Sequence, residues 1–255
     1  MLTEERKNLI IKLVESRGGM TVQELMHELS SSESTIRRDL TDLGIRGLVL
    51  KVHGGALPAS SGITADVPVQ ERDVLHRTEK RAIAAYAADL IGEDDVVYID
   101  AGTTTNFIIE NLKTRNTVFV TNAIAHARKL TELGYKVYMP CGLVKIRTEA
   151  LVGADTCNYL KGFHFTKGFF GSNGITRQQG FTTPDREEAA VKRLAMEHSG
   201  QVYVLSDSSK FGRISSVTFG DYESASIITD WKLPAGYKNS SNIIVIEEPD
   251  ENKAD

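Results

Sequence analysis

The chain has 255 residues, 41% hydrophobic and 25% charged. At roughly 100–200 residues per domain that makes one large or two modest folded domains, and it excludes a disordered, collagen-like or fibrous chain. Two cysteines make no disulfide framework, and the net charge of −4, from 30 Lys and Arg against 34 Asp and Glu, gives no general attraction for nucleic acid.

No apolar run approaches the roughly 18 residues of a membrane span. The charged start MLTEERKN lacks the apolar core of a signal peptide, so a cytoplasmic location is expected. From residue 3 onward, Leu9, Ile10, Leu13 and Val14 lie on one face of a helix with Thr3 as its N-cap, and Gly18-Gly19 stops it. Thr21 caps a second helix that turns Val22, Leu25 and Leu29 inward. Ser30–Ser32 is a tight turn, and a third helix starts near Ser32–Glu33 with Ile36, Leu40 and Leu43 inward. Two short helices joined by such a turn to a third make a helix-turn-helix. The outward residues Ser34, Thr35, Arg37 and Arg38 suit a major groove, where hydroxyls bond bases or phosphates and Arg forks onto guanine. Asp39 and Asp42 are the expected salt-bridge partners if either Arg serves the helix surface instead. Leu48–His53 alternates as a strand and Gly54-Gly55 turns it, which predicts a β-wing with Lys51 and His53 near the DNA backbone. Through residue 56, eight Lys and Arg meet eight Asp and Glu, so the strongly basic footprint of many DNA binders is absent. A helical docking domain has the same periodicity.

Pro58–Thr64, followed by Pro68, has linker composition. The expected division is a winged helix-turn-helix over 1–57, a linker over 58–70, an α/β domain over 71–247 and an acidic tail over 248–255. In the third part, apolar strands at 96–99, 117–120, 136–139, 202–205 and 225–228 alternate with helices near 78–91, 104–113, 122–133 and 185–198. That alternation predicts a largely parallel, doubly wound sheet. Ligands of such sheets bind beyond the carboxyl ends of the strands, where this chain carries Asp100, Thr121, Asn122 and Asp207.

Asp100-Ala-Gly102-Thr103-Thr104-Thr105 is the sharpest motif. Gly102 suits a tight turn, and three hydroxyls then open a helix whose first amides favour a phosphate. The bland reading, Thr103 as a simple cap, accounts for one Thr of the three. Asp207-Ser-Ser-Lys210-Phe-Gly212 pairs a carboxylate for sugar hydroxyls with an ammonium for phosphate, or is a solvated turn. Thr182–Glu188 reads as a capped helix start with Pro184 in the first turn, and Glu187 and Lys192 either reach the site or face solvent. Neither phosphate-loop nor dinucleotide fingerprint, metal-ligand spacing nor nucleophile elbow is present, so no cofactor, metal or catalytic residue is expected.

Ser34-Thr-Ile-Arg-Arg-Asp-Leu40, Gly47-Leu48 and His53-Gly-Gly-Ala56 resemble the N-terminal signature of the DeoR family of bacterial transcriptional regulators. Gly44 departs from it and is expected to end the recognition helix early. Asp100-x-Gly-Thr-Thr, Gly171-x-Asn-Gly-Ile175 and Asp207-x-Ser-Lys210-Phe-Gly resemble that family's sensor domain, and Val69–Arg72 with Glu79-Lys80 its linking helix. The resemblance implies a fold similar to ribose-5-phosphate isomerase that binds a phosphorylated sugar, with Asp100 and Thr103–Thr105 on sugar and phosphate. It makes Thr121, Asn122, Lys80, Asp207 and Lys210 further contacts or part of the signal route. Cys141-Gly142 stands where the family often has two glycines, leaving Lys145 and Arg147 as alternative phosphate partners. Gly180–Asp185 and Ser215–Phe219 resemble the fructose-operon branch. The expectation is a repressor, dimeric or tetrameric, that leaves double-stranded operator DNA on binding fructose 1-phosphate or, second, tagatose 6-phosphate. The alternative is a sugar-phosphate isomerase with a docking domain, against which the wing and recognition helix speak.

Overall fold

The computed structural model describes residues 3–45, 48–52, 54–58 and 69–249. The N-terminal part contains α1 (Thr3–Arg17), β1 (Met20–Thr21), α2 (Val22–Leu29), α3 (Glu33–Ile45), β2 (Val49–Val52) and β3 (Gly55–Pro58). Ile10, Val14, Leu25, Ile36, Leu40 and Leu43 close one core. The inward face of α1 is Arg6, Ile10 and Val14, one residue round from the expected stripe, so Leu9 is 39% exposed. Thr3 is already helical rather than capping. α2 starts as read, with Thr21 and Glu24 in a reciprocal capping box, and ends on Ser30 in the left-handed conformation. α3 runs through Gly44 to Ile45, so the expected early end does not occur; Leu48 N–H caps the Leu43 carbonyl and β2 packs on the helix. β3 pairs with β2 to form the wing and also with β1. Gly55 permits the second pairing: a Cβ there would stand 2.3 Å from the Met20 carbonyl oxygen.

The C-terminal part opens with α4 (Val69–Val74) and α5 (Arg77–Asp89), followed by β4 (Val96–Ile99), α6 (Thr103–Asn106), β5 (Val118–Thr121), α7 (Ile124–Glu132) and β6 (Lys136–Tyr138). A hairpin, β7 (Leu143–Lys145) and β8 (Ala150–Val152), leads to α8 (Ala154–Leu160) and β9 (Phe165–Gly171). Then come β10 (Gly174–Thr176), β11 (Gly180–Thr183), α9 (Arg186–Glu197), β12 (Ser199–Leu205), β13 (Val217–Gly220), β14 (Ser226–Thr229) and β15 (Ile243–Val245). Seven strands form one sheet in the order β15-β14-β12-β9-β4-β5-β6, every neighbouring pair parallel. The chain winds outward from β4 to β6, returns to β9 beside β4, and winds out the other way. The direction reverses between β4 and β9, which is where such sheets open a crevice.

Both faces of the sheet are covered, as parallel sheets require. Val97 and Ile99 pack with Phe169 under α5 and α6, while Tyr98 and Phe170 face the opposite layer with α8 and α9. The helix expected over 104–113 is one α-turn, then a 3-10 turn at Ile109–Asn111. Phe107, Ile108 and Ile109 are all buried, and a regular helix would carry one of three successive residues outward. Pro184 precedes α9, whose N-cap is Asp185, the carboxylate accepting from Glu187 and Glu188 N–H at 2.9 Å each. α8, β15 and the β7–β8 hairpin were outside the sequence reading. No helix among the described residues is long and apolar enough to cross a membrane.

Candidate functional site

Two faces concentrate the chemistry. The first is the outer side of α3. Ser34, Arg37 and Arg38 are exposed and Thr35 half-buried. Ser32 Oγ shares hydrogen bonds with Ser34 Oγ (3.1 Å) and Thr35 Oγ1 (2.9 Å). Arg37 pairs with Glu33 one turn back at 2.7 Å, and Arg38 has no ion-pair partner among the described residues. The acids behave differently from expectation. Asp39 is buried and accepts from Arg6 Nε at 2.6 Å, and Asp42 accepts from Lys7 Nζ at 2.8 Å. Residues one and two apart on a helix point about 100° and 200° apart, so neither Arg38 nor Arg37 faces Asp39. The balanced charge of this part is therefore sorted: the acids bind α1 and an Arg is left outward. Lys51 is exposed on β2 and donates to Thr41 Oγ1 at 2.8 Å. His53 lies outside the described residues.

The second is a cleft at the carboxyl ends of β4, β9 and β12. Its walls include Arg72, Lys80, Gly102, Thr103, Thr104, Thr148, Asn173, Glu188, Lys192, Ser206, Asp207 and Lys210. Lys192 is buried and donates to Asp100 Oδ2, and to the Gly171 carbonyl at 3.1 Å, so it reaches the site whereas Glu187 is exposed. Asp100 also accepts from Gly171 N–H at 3.1 Å. It is the anchor of Lys192 at the floor, not an open sugar ligand, and burial pushes its carboxyl up against the pull of Lys192. Glu188 takes Thr148 Oγ1 at 2.7 Å, Lys145 at 3.2 Å and Thr183 Oγ1 at 3.2 Å. It was missed although a signal was available: Glu188 and Lys192 are four apart and share a helix face.

Several expected contacts serve the scaffold instead. Thr105 is fully buried and its hydroxyl donates to the carbonyls of Asp100 (2.7 Å) and Gly102 (3.0 Å), leaving Thr103 and Thr104 on the cleft. Thr121 Oγ1 accepts from Ala123 N–H. Asn122 accepts from Tyr98 Oη and Ala101 N–H, both at 3.1 Å, and holds the Asp100 loop from behind. Neither lines the cleft, nor does Arg147, which is exposed on the loop after β7. Gly102 is extended, so its lack of a side chain provides space rather than a special turn: a Cβ would sit 3.1 Å from Thr105 Oγ1.

The electrostatics are uneven. Lys192 is matched by Asp100, Lys145 by Glu188, and Lys210 by Asp207 at 3.7 Å. Arg72 and Lys80 have no ion pair among the described residues; Lys80 Nζ donates to the Arg72 carbonyl. Burial pulls the Lys80 ammonium down to about 8. For Asp207 burial alone would raise the carboxyl, but Lys210, Ser209, His76 and Lys80 outweigh it and hold it below the usual range. Arg72 Nε, Ser206 Oγ and Asp207 Oδ2 are buried without hydrogen-bond partners among the described residues. Each costs desolvation that a polar ligand relieves.

The chain matches two family models, the DeoR-like helix-turn-helix domain over residues 6–61 and the DeoR C terminal sensor domain over residues 75–231. It is 41% identical over 230 residues to the "Uncharacterized HTH-type transcriptional regulator FruR" of Bacillus subtilis (strain 168), covering 90% of this chain and 91% of that one. It is 36% identical to the "HTH-type transcriptional regulator GlpR" of Haloferax volcanii, covering 97% and 98%. It is 34% identical to a "Lactose phosphotransferase system repressor" of Staphylococcus epidermidis, covering 89% and 91%. Among solved structures, ribose 5 phosphate isomerase A from Neisseria gonorrhoeae aligns over 54% of each chain at 17% identity and a TM-score of 0.39.

Proposed function

Since the chain belongs to the DeoR family of helix-turn-helix transcriptional regulators, we propose that it represses a sugar-utilisation operon and leaves its operator when a phosphorylated sugar fills the cleft at β4 and β9. One observation carries the ligand class. Two cations without an ion pair among the described residues, Arg72 and Lys80, flank hydroxyls and the unpartnered buried Ser206 Oγ and Asp207 Oδ2 at the switch point of the sheet. An anion with hydroxyl groups fits that wall. A planar apolar ligand leaves the polar atoms unmet. Fructose 1-phosphate is the leading effector and tagatose 6-phosphate the second, a reading that rests on the stretches 180–185 and 215–219. On the DNA side, Ser34, Thr35 and Arg38 read the major groove, with Arg37 and Lys51 at the backbone. Identical subunits, acting in the cytoplasm as a dimer or tetramer, set two recognition helices on half-sites a helical turn or a multiple apart.

Fluorescence anisotropy on DNA from the protein's own upstream region tests this at one fixed salt concentration, because phosphate contacts make affinity salt-dependent. Specific binding reversed by fructose 1-phosphate and not by unphosphorylated fructose is the expected result. Binding that neither phosphorylated sugar moves overturns the effector. No specific binding overturns the repressor and turns attention to isomerase activity.

A further inference from the structure

Behind the Gly102–Thr103 backbone lies a second pocket that the cleft does not account for. It measures about 430 Å3, against about 60 Å3 in the cation-lined cleft, and the two share Gly102, Thr103 and Thr148 as a common ridge. The cleft is the tighter of the two, so a six-carbon sugar phosphate seated there by its phosphate finds room for its carbon chain across the ridge.

The chemistry of the larger pocket is opposite in sign. Its walls include the carboxylates of Asp73 and Glu149 and no Lys or Arg among the described residues. His126 is 3% exposed, and among the described residues its Nδ1 and the buried Asn106 Oδ1 have no hydrogen-bond partner. Burial holds the His126 imidazole down at about 4, against the opposing pull of the Gly102 backbone, so the ring is neutral at neutral pH. The amide oxygen accepts and the neutral ring nitrogen accepts or donates according to its tautomer, so a hydroxyl, which can play either part, satisfies both. The adjacent carboxylates repel a phosphate and accept further hydroxyls.

We propose that the effector lies across the ridge, its phosphate in the Arg72–Lys80 cleft and its polyol chain in the His126 pocket, hydrogen-bonded to His126 and Asn106. This rests on the sugar-phosphate reading above and extends it to a ligand class: phosphorylated sugars long enough to span both chambers. Three-carbon phosphates fill only the first.

Calorimetric titration of the full chain with inorganic phosphate, glycerol 3-phosphate, fructose 1-phosphate and tagatose 6-phosphate tests it. At least one six-carbon phosphate is expected to bind about tenfold or more tighter than glycerol 3-phosphate. His126→Leu is expected to erase that preference while leaving glycerol 3-phosphate and inorganic phosphate unchanged. Asn106→Ala, whose amide oxygen holds no structural bond, is expected to act in the same direction and guards against misfolding of the first variant. Equal affinity for three- and six-carbon phosphates, or a preference that survives both variants, overturns the spanning mode while the cleft reading stands. If no phosphorylated compound binds the unaltered protein, the cleft reading falls and this inference with it.

Discussion

Lys80 and Lys192 are both lysines buried at one cleft, yet their surroundings set them different tasks. Lys80 has no carboxylate in direct contact among the described residues, and its ammonium is depressed to about 8, chiefly by burial with Lys210 and Arg72 adding to it. The second ionisation of a sugar phosphate, near 6, is about nine-tenths complete by pH 7. Effector affinity is therefore expected to fall between pH 7 and 9 as free Lys80 loses its proton, and Lys80→Arg, which stays charged, to flatten the profile; calorimetry across that range reads both. Lys192 instead neutralises the buried Asp100. Lys192→Met leaves that carboxylate unpaired and is expected to cost about 3–5 kcal/mol of stability. Removing the acid as well, in Lys192→Met with Asp100→Leu, is expected to recover most of it in urea denaturation. A single variant as stable as the parent sinks the assignment. Sequence marked Lys80, Asp100, Asp207 and Lys210 because they end strands or repeat a motif. It did not single out Arg72 or Ser206 as site residues; their place in the cleft depends on α4 packing against α6 and on the residue that follows β12.

α2 was legible at both ends because its stop and start are local chemistry. The Glu24 carboxylate accepts Thr21 N–H at 2.7 Å, and Glu24 N–H donates to Thr21 Oγ1 at 3.2 Å. Thr21→Ala is expected to lower stability by about 1 kcal/mol, measured by thermal or urea unfolding. The Thr21 backbone N–H, then its hydroxyl, holds the Glu24 carboxyl below its ordinary range. A depressed acid contributes stability above its unfolded pKa and loses it as pH falls through the folded one, so the Thr21→Ala penalty is expected to shrink in acid. α6 shows the contrary case. Its hydroxyl-rich start was correctly placed at a strand end, but the long helix expected behind it gives way to a single turn, because a run of three apolar residues is buried on all sides. α1 failed more narrowly. The four apolar residues permit two neighbouring stripes, and the Arg6–Asp39 pair with α3 accompanies the stripe that is buried.

Among the described residues, the end of α1 faces the C-terminal part at the turn after β12 and at Pro234–Tyr237. Asp207 and Lys210 line the cleft, while Ser208, Ser209, Phe211 and Arg213 of the same turn border a gap against Glu15, Arg17 and Gly18 at the end of α1. Asp230 fixes that turn by accepting Ser208 N–H at 2.6 Å. A ligand that draws on Lys210 thus acts on a segment that borders the helix-turn-helix part. Linkage makes the consequence quantitative: whatever factor the effector takes from operator affinity, saturating operator must take from effector affinity. Titrating the effector with and without operator is expected to return equal factors, and unequal ones exclude a single shared equilibrium.

Sequence alone determined what is periodic or contiguous: the helix-turn-helix, the parallel order implied by strand–helix alternation, and the Asp100 and Asp207 motifs at strand ends. Those signals lie within a few residues of one another and need no partner. Only the tertiary structure decided which hydroxyls face the cleft, that Asp100 holds Lys192, that Glu188 rather than Glu187 lines the wall, and that α1 takes up the acids of α3. Each of these is set by burial and by partners up to 92 positions away, where the desolvation of a charge, not its place in the chain, selects its contact.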